Sequence, residues 1–231
     1  SQNRERYMNI APEFIKCDCT EMNCPVFHKC CFLPTEINPD PDGGVSILFI
    51  GQGGDSDERI RGRPLIGRAG IRLRQQVLFI RKKLRKHVGV AFSNTIRDNP
   101  DGCRVPTPKE YEYCLKYLYR DIATLKKRGL KVIIPLGNAS KDIFMPNSGA
   151  MSVCHGRITN FSDSAFGHIS QMSTYHPSFV MRDAPKFEDT KLSEYDKIVL
   201  KDILKALDSI KEPKPDTHDD VDNIDITGVL S

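Results

Sequence analysis

The stretch ILFIGQGGDSDERIRGRPLIGRAG, residues 47–70, decides the fold of this chain. An apolar run of strand length passes into a glycine-rich turn and then into a segment rich in arginine. Glycines at 51, 53 and 54 let the backbone adopt positive φ and approach a ligand closely, and the turn 67–70 leaves N–H groups available at the next helix start. A tight turn alone would also use such glycines. The stretch predicts a strand, turn and helix that face a phosphate-bearing ligand.

Strand-like runs alternate with helix-length segments along the chain. VSILFIG (45–51), VGVAFSN (88–94) and KVIIPLG (131–137) are each bounded by turns and followed by a segment of helix length. This alternation predicts parallel strands that are covered on both faces by crossover helices. Two shorter strands are expected near 153–158 and 169–175. The expected fold is α/β, a three-layer α/β/α sandwich around a mostly parallel sheet of four to five strands.

Length and cysteine distribution predict three segments. The 231 residues suffice for one domain with a full core, and five of the eight cysteines lie in the first 44 residues. We expect residues 1–44 to be a cysteine-rich segment that contributes to a metal site and ends in a loop, PTEINPDPDGG, at 34–44. Residues 45–210 are expected to form the core domain. Charge and proline predict that residues 211–231 are a flexible acidic tail, with a strand docked on a partner as the alternative.

Charge and hydropathy limit the partners and the compartment. The formal net charge of +4 is modest, so a nucleic-acid partner must be argued from clustered basic residues. Such residues surround the glycine turns and continue beyond them at Arg61, Arg63, Arg68, Arg72, Arg74, Arg81, Lys82, Lys83, Arg85 and Lys86. No apolar run approaches the roughly 18 residues that span a bilayer, and the N-terminus lacks a signal peptide's apolar stretch. We expect a soluble intracellular protein of the cytoplasm, the nucleus or a viral replication site, without a membrane partner.

The glycine-rich stretch resembles a motif of a known enzyme family. From Gly51 onward it is similar to G-E-A-P-G-E-x-E-D-x-x-G-x-P-F-V-G-R-A-G, the first motif of the iron-sulfur (family 4) uracil-DNA glycosylases. The positions that match are Gly51, Glu58, Gly62, Pro64, Gly67, Arg68, Ala69 and Gly70, and those that differ include Gln52, Gly53, Gly54, Asp55 and Leu65. The resemblance implies the uracil-DNA glycosylase fold and a DNA glycosylase activity.

A second segment resembles the base-reading part of the same family. AFSNTIRDNPDGCRVPTPKEYEYC (91–114) is similar to I-T-N-V-V-K-C-R-P-P-G-N-R-T-P-T-P-E-E, with Asn94 at the asparagine that reads uracil. An amide can pair with the N3–H and O4 of a flipped uracil, a pattern that cytosine reverses. The resemblance also implies that Gly51, Gly53 and Leu65 bind the base. In isolation Asn94 could equally cap a loop, and Leu65 replaces a stacking phenylalanine worth roughly 1–3 kcal/mol.

A third segment carries a histidine at the end of a strand. TYHPSFVMRD (174–183) resembles the family's Y-H-P-A-Y-L-L-R. The resemblance implies that His176 stabilises the negative charge that develops on the leaving uracil. It also implies a loop that enters the minor groove beside a flipped nucleotide, where apolar wedges and a cation help to unstack the bases. The DNA-binding residues expected on this basis are Arg68, Ser178, Phe179, Met181 and Arg182.

The catalytic position of the first motif differs from the family. Gln52 stands where the family has a glutamate, and an amide cannot act as a base or stabilise a cationic sugar by charge. Asp55, or Asp57, could orient the attacking water in its place. Together with His176, Gln52 and Asp55 are the expected catalytic residues.

The cysteines are spaced as ligands of a metal cluster. The resemblance implies a [4Fe-4S] cluster on four thiolates. Cys24, which is followed by proline, and Cys114, in PTPKEYEYC, match two family ligands. Cys19, or Cys17 as its alternative, and Cys103 are expected to supply the other two. A zinc site or a set of reduced core cysteines are the alternatives.

Three functions follow from these patterns. The first is a DNA glycosylase that flips and excises uracil or a modified pyrimidine from single- or double-stranded DNA. The second is a catalytically weak or inactive DNA-binding relative, acting as a subunit of a replication or repair assembly. The third is a pyrimidine-modifying enzyme of an unusual, for example viral, genome. All three require a DNA partner, and the second adds a protein partner.

Overall fold

A mixed sheet forms the centre of the fold. The computed structural model describes residues 11–14, 24, 32–98, 104–184, 186, 188 and 191–210. Within these ranges the sheet has six strands in the order β1-β3-β2-β4-β6-β5. The strands are β1 (Glu36–Asn38), β2 (Ile47–Gly51), β3 (Val90–Asn94), β4 (Val132–Pro135), β5 (Thr159–Asp163) and β6 (Gly167–Gln171). The inner pairs are parallel, whereas β1 and β5 add antiparallel edges. The predicted mostly parallel α/β sheet is confirmed, with six strands in place of four to five.

Helices cover both faces of the sheet. Their bounds are α1 (Ser56–Arg61), α2 (Arg68–Leu84), α3 (Pro108–Lys126), α4 (Gly137–Phe144), α5 (Met151–Cys154), α6 (Pro177–Asp183) and α7 (Glu194–Ser209). Side chains of a strand point alternately to its two faces. Phe49 therefore packs in the core with α2, α6 and α7, whereas Leu48 packs in the core with α3 and α4. The predicted three layers are confirmed. Within the described ranges, no helix is long and apolar enough to cross a bilayer.

The first edge strand lies in a segment for which the sequence predicts a loop. Residues 34–44 were expected to be irregular, but Glu36–Asn38 pairs with Val90–Phe92 as β1. The Glu36 carboxylate accepts hydrogen bonds from both Arg63 and Arg74 at 2.8–3.1 Å. These tertiary contacts hold a polar three-residue strand, and the sheet consequently extends N-terminal to Val45. The tail at 211–231 lies outside the described residues.

The second half of the sheet is also shifted relative to the prediction. A strand was expected at 153–158, but α5 occupies Met151–Cys154 and β5 begins only at Thr159. β5 and β6 form an antiparallel hairpin at one edge. β6 then ends at Gln171, and Thr174 keeps only an isolated parallel bridge to Leu136. The chain therefore leaves the sheet just before His176.

Buried polar side chains join α2 to α7. Arg72 Nε and Nη2 donate to the two carboxylate oxygens of Asp196 at 2.9 and 2.6 Å. Gln76 Nε2 donates to Asp196 Oδ1 at 2.9 Å. The Arg72 and Asp196 side chains are 2% and 1% exposed. Arg72 therefore belongs to the core rather than to a DNA-facing surface.

Breaking this pair is expected to destabilise the fold. Asp196→Ala leaves the Arg72 charge buried without its carboxylate, so the free energy of unfolding should fall by about 3–5 kcal/mol. Urea denaturation followed by circular dichroism measures the change. Glu194→Ala is the matched control on the same helix, because its pair with Lys197 is exposed and should contribute little to the free energy of unfolding. Equal losses in the two variants would contradict the assignment.

Candidate active site

A capping box organises the glycine-rich turn. β2 ends at Gly51, and Asp55 is the N-cap of α1, accepting the N–H groups of Asp57 and Glu58 at 3.0 and 3.4 Å. Glu58 reciprocates, since its Oε2 accepts the N–H of Asp55 at 2.7 Å. One carboxylate oxygen of Asp55 is thus used to start a helix. The Asp-x-x-Glu spacing of residues 55–58 is a sequence signal for this helix start.

Glu58 connects the turn to the next helix. Its second oxygen, Oε1, accepts the N–H groups of Ile66 and Gly67 at 3.0 and 3.3 Å. The Glu58 residue is 5% exposed, and burial raises the pKa of its carboxyl group. Three backbone donors offset the cost of burying this group. Glu58 matches the family motif in sequence, but only its contacts in the structure reveal this connecting function.

The glycines of the turn are required for space rather than for backbone conformation. The φ angles of Gly51, Gly53 and Gly54 are not positive, so that part of the prediction is wrong. A Cβ at Gly51 would collide with Asn94 Oδ1, and one at Gly54 would collide with Leu33 Cδ1. A Cβ at Gly53 would lie 3.1 Å from the Asp98 carbonyl oxygen. Close approach of neighbouring segments explains these glycines.

Leu65 has an unusual backbone conformation. Its φ is +51°, a region that non-glycine residues rarely occupy. Arg74 Nε donates to the Leu65 carbonyl oxygen at 2.9 Å, and Gly70 leaves room for that peptide group, since a Cβ there would overlap it. The Leu65 side chain is buried, and its Cδ2 lies beside Gly51. Strained residues of this kind concentrate at functional sites.

Asn94 is a buried amide with unused hydrogen-bonding capacity. It is the last residue of β3, opposite Gly51 in the parallel register, and is 1% exposed. Among the described residues, neither its Oδ1 nor its Nδ2 has a hydrogen-bond partner. Leaving such atoms unpaired costs about 1–3 kcal/mol each. The amide is therefore available to a ligand.

A cavity of about 570 Å³ opens at the carboxyl ends of the parallel strands. Its lining consists of Gln52, Gly53, Gly54, Asp55, Glu58, Leu65, Gly67, Ala69, Gly70, Pro106, Leu136, Gly137, Asn138, Ala139, His176 and Ser178. This edge of an open α/β sheet is where such folds bind ligands. Asn94 is not among the lining residues but lies next to it, beside Gly51 and Leu65. Six residues predicted from sequence thus meet in one cavity: Gln52, Gly53, Asp55, Leu65, His176 and Ser178.

His176 is held as a neutral donor at the cavity. Its Nδ1 accepts the backbone N–H of Ser178 at 3.2 Å and lies 2.7 Å from the Ser178 hydroxyl. A nitrogen that accepts an N–H carries no proton, so the neutral ring has its hydrogen on Nε2. Burial lowers the pKa of His176 to about 4. The neutral ring therefore carries its hydrogen on Nε2, which can donate to a ligand.

The segment after His176 is helical. The sequence predicted a loop, but Pro177–Asp183 forms α6 with His176 as its N-cap. Phe179 packs against Tyr175 and Tyr195, with ring centroids 5.3 and 4.8 Å away, and Arg182 lies over the Phe179 ring at 5.4 Å. Proline at the first helical position favours this start. The expectation of a loop is therefore corrected, and DNA contact by this segment stays a prediction.

Several basic residues of the predicted cluster have internal partners. Arg63 and Arg74 bind Glu36, and Arg72 binds Asp196. Arg81 donates to the Val88 carbonyl oxygen. Arg68, in contrast, is exposed at the first position of α2. Four residues of the cluster, Arg63, Arg72, Arg74 and Arg81, therefore contribute to the fold, whereas the other six are exposed.

Two of the predicted cluster ligands lie together. Cys24 and Cys114 pack around Ile96, and Cys114 is 2% exposed. Burial raises the pKa of the Cys114 thiol to about 11, and the neighbouring Cys24 adds to the rise. Cys17, Cys19 and Cys103 lie outside the described residues. In the part of the chain that is described, no group of three or more potential metal ligands occurs.

The site and the fold are those of an α/β enzyme with a ligand cavity at the strand ends. The sequence profile of the uracil DNA glycosylase superfamily matches residues 39–202, a range that includes every residue lining the cavity. This chain belongs to the uracil-DNA glycosylase superfamily.

Proteins named type-4 uracil-DNA glycosylase are similar to the chain over most of its length. The protein of Thermotoga maritima is 29% identical over 210 residues, which cover 90% of this chain and 97% of that protein. That of Archaeoglobus fulgidus is 28% identical over 185 residues, with coverages of 77% and 87%. That of Pyrobaculum aerophilum is 29% identical over 175 residues, with coverages of 74% and 82%.

The His176 ring is expected to remain neutral from pH 8 down to pH 5. Its pKa of about 4 lies below the ordinary value of about 6.5. Long-range ¹H–¹⁵N correlation spectra, assigned with His176→Gln, should show an Nε2–H tautomer throughout this range. Because the unfolded chain binds the proton first, His176 should also lower the stability as pH falls from about 6.5 towards 4. A His176 titration midpoint between pH 6 and 7 would contradict the geometry.

Proposed function

We propose that this chain, a DNA glycosylase of the uracil-DNA glycosylase superfamily, excises uracil or a modified pyrimidine by hydrolysing its N-glycosidic bond. The buried, unpaired amide of Asn94 carries the proposal. A flipped base entering beside Gly51 and Leu65 would meet this amide, whose carbonyl accepts from N3–H and whose NH2 donates to O4. Pairing with uracil would satisfy both polar atoms of the unpaired amide. Cytosine presents the reverse pattern of donor and acceptor, so uracil is favoured.

His176 is proposed to stabilise the leaving group. Water attacks C1′ of the deoxyribose, the bond from C1′ to N1 breaks, and its electron pair passes to the departing base. The negative charge that develops on the base is spread over its ring and O2. A neutral Nε2–H already oriented by Ser178 can donate to that oxygen without rearrangement.

Gln52 and Asp55 are proposed to hold the attacking water. Asp55 uses Oδ1 for the α1 cap, while its Oδ2 lies at Gly67 on the cavity wall, 2.7 Å from where a Cβ would be. That oxygen can orient a water and accept its proton, and the Gln52 side chain can hydrogen-bond the same water. Arg68, Ser178, Phe179, Met181 and Arg182 are proposed to contact the DNA around this cavity.

A [4Fe-4S] cluster is proposed as the resident cofactor. Cys24 and Cys114 would supply two thiolates, since they already pack together in a buried pocket, and the other two would come from Cys103 and from Cys19 or Cys17. When bound, the cluster cross-links the N-terminal segment to α3. Zinc on the same thiolates is the alternative.

Uracil excision is the decisive test, with abasic sites measured by alkaline cleavage of uracil-containing single- and double-stranded oligonucleotides. We expect release of uracil by the wild-type chain. Asn94→Ala removes the base-reading amide and His176→Ala removes the leaving-group donor, so each should reduce the single-turnover rate by about 10²–10³-fold. Glu194→Ala on the surface of α7 is the control and should keep the full rate.

A DNA-binding relative with little activity is the second candidate function. It is favoured by the replacement of the family's glutamate by Gln52 and by the use of Asp55 Oδ1 as a helix cap. DNA binding that weakens with salt but without excision at stoichiometric protein would contradict the glycosylase proposal. Activity gained by Gln52→Glu in such a protein would identify the lost carboxylate as the cause, and a replication or repair subunit would then be the proposed role.

Iron content tests the cofactor. Cys114→Ala removes a proposed ligand, so anaerobically purified protein should lose its iron and its broad visible absorption. Cys154→Ala is the matched control, because Cys154 is equally buried but lies on α5 beside Ser173, and it should retain both. A colourless wild-type protein that contains one zinc ion would contradict the iron-sulfur proposal.

A further inference from the structure

A polar cluster lies behind the histidine of the cavity. His155, after α5, and Thr174, after β6, meet Asp202 of α7. The Thr174 hydroxyl donates to Asp202 Oδ2 at 2.6 Å. His155 Nδ1 lies 3.2 and 3.1 Å from Asp202 Oδ1 and Oδ2. None of the three lines the cavity.

The cluster places a carboxylate where packing alone would favour an apolar side chain. Asp202 is 5% exposed and Thr174 is fully buried. Burial raises the pKa of Asp202, and the Thr174 hydroxyl and His155 oppose that rise. Gly156 makes room for the carboxylate, because a Cβ there would lie 2.5 Å from Asp202 Oδ1. A buried carboxylate requires hydrogen-bond partners to offset its desolvation. The partners of Asp202 therefore indicate which segments it fixes in place.

Thr174 is the point at which three elements are tied together. Its N–H donates to the Pro135 carbonyl oxygen at the end of β4, at 3.2 Å. Its carbonyl oxygen accepts the N–H of Gly137, at the start of α4, at 2.9 Å. Its side chain adds the bond to α7. The chain therefore leaves the sheet from a fixed position.

His176 follows two residues later and has little freedom of its own. A Cβ on Gly137, whose φ is +73°, would lie 2.9 Å from the His176 Cβ, so the two backbones are in close contact. Gly137 is in turn bonded to Thr174. A displacement of Thr174 would move the imidazole relative to Gln52 and Asp55 across the cavity.

We propose that Asp202 is a positioning residue for His176, acting through the Thr174 hydroxyl. The inference rests on the proposed function of His176 as the leaving-group donor. It assigns a contribution to the reaction to α7, an element that carries none of the residues of the cavity.

Two substitutions at Asp202 separate hydrogen bonding from packing. Asp202→Ala removes the acceptor, and single-turnover uracil excision should fall by about 10- to 100-fold with an unchanged dissociation constant for DNA. Asp202→Asn keeps an oxygen that accepts from Thr174 and should retain most of the rate. Thr174→Val should match Asp202→Ala. The double variant Thr174→Val/Asp202→Ala should lose no more, since partners in one interaction are not additive.

The His176 ring spectrum tests the inference independently of activity. Long-range ¹H–¹⁵N correlations should report a disturbed Nδ1 in Asp202→Ala and in Thr174→Val, and an unchanged ring in Glu194→Ala. Absence of excision by the wild-type chain would overturn the proposed function, and the ring spectra would then decide the positioning role. Unchanged His176 signals in both folded variants would overturn the inference, as would an Asp202→Asn protein as slow as Asp202→Ala.

Discussion

The carboxylate of Glu58 is the interaction on which the geometry of the cavity depends. Its two oxygens accept the N–H groups of Asp55, Ile66 and Gly67. Asp55 precedes α1 in the chain, and the other two residues follow it. This one buried side chain therefore joins the two ends of the segment between β2 and α2 by hydrogen bonds. The first turns of both helices then form one wall of the cavity. The three backbone donors replace the water around this buried carboxylate and so offset the cost of its desolvation.

The buried carboxylates of the fold and the buried amide of Asn94 differ in their hydrogen bonding. Glu58, Asp196 and Asp202 are buried and have their partners within the chain. Asn94 is equally buried, yet both of its polar atoms lack a partner among the described residues. Buried polar atoms are nearly always satisfied in native proteins. Single unpaired atoms also occur elsewhere in the described part of the chain, for example at Gln76 and Gln171, whereas both polar atoms of the Asn94 side chain are unpaired. The proposed contact with a flipped base would supply the missing bonds.

Sequence patterns predicted the strands of the core because burial on both faces requires continuous apolar runs, as in β2 and β4. They missed β1, since Glu36–Asn38 is short and polar and is held by arginines from two other elements. The motif resemblance placed Gln52, Leu65 and His176 around one cavity, and the structure brings them together. The charge pattern counted Arg63, Arg72 and Arg74 as surface residues, because a string of arginines does not reveal which of them have carboxylate partners distant in sequence.

The sequence by itself determined the α/β class, the mostly parallel central strands and the membership of the uracil-DNA glycosylase superfamily. These depend on local periodicity and on short motifs, which are read directly along the chain. Only the tertiary structure decided that Glu36 is paired with two arginines, that Phe179 packs against Tyr195 and that Asp202 lies behind His176. The physical reason is that a polar or aromatic side chain takes its function from the partners that folding brings to it. Those partners come from elements far apart in the sequence.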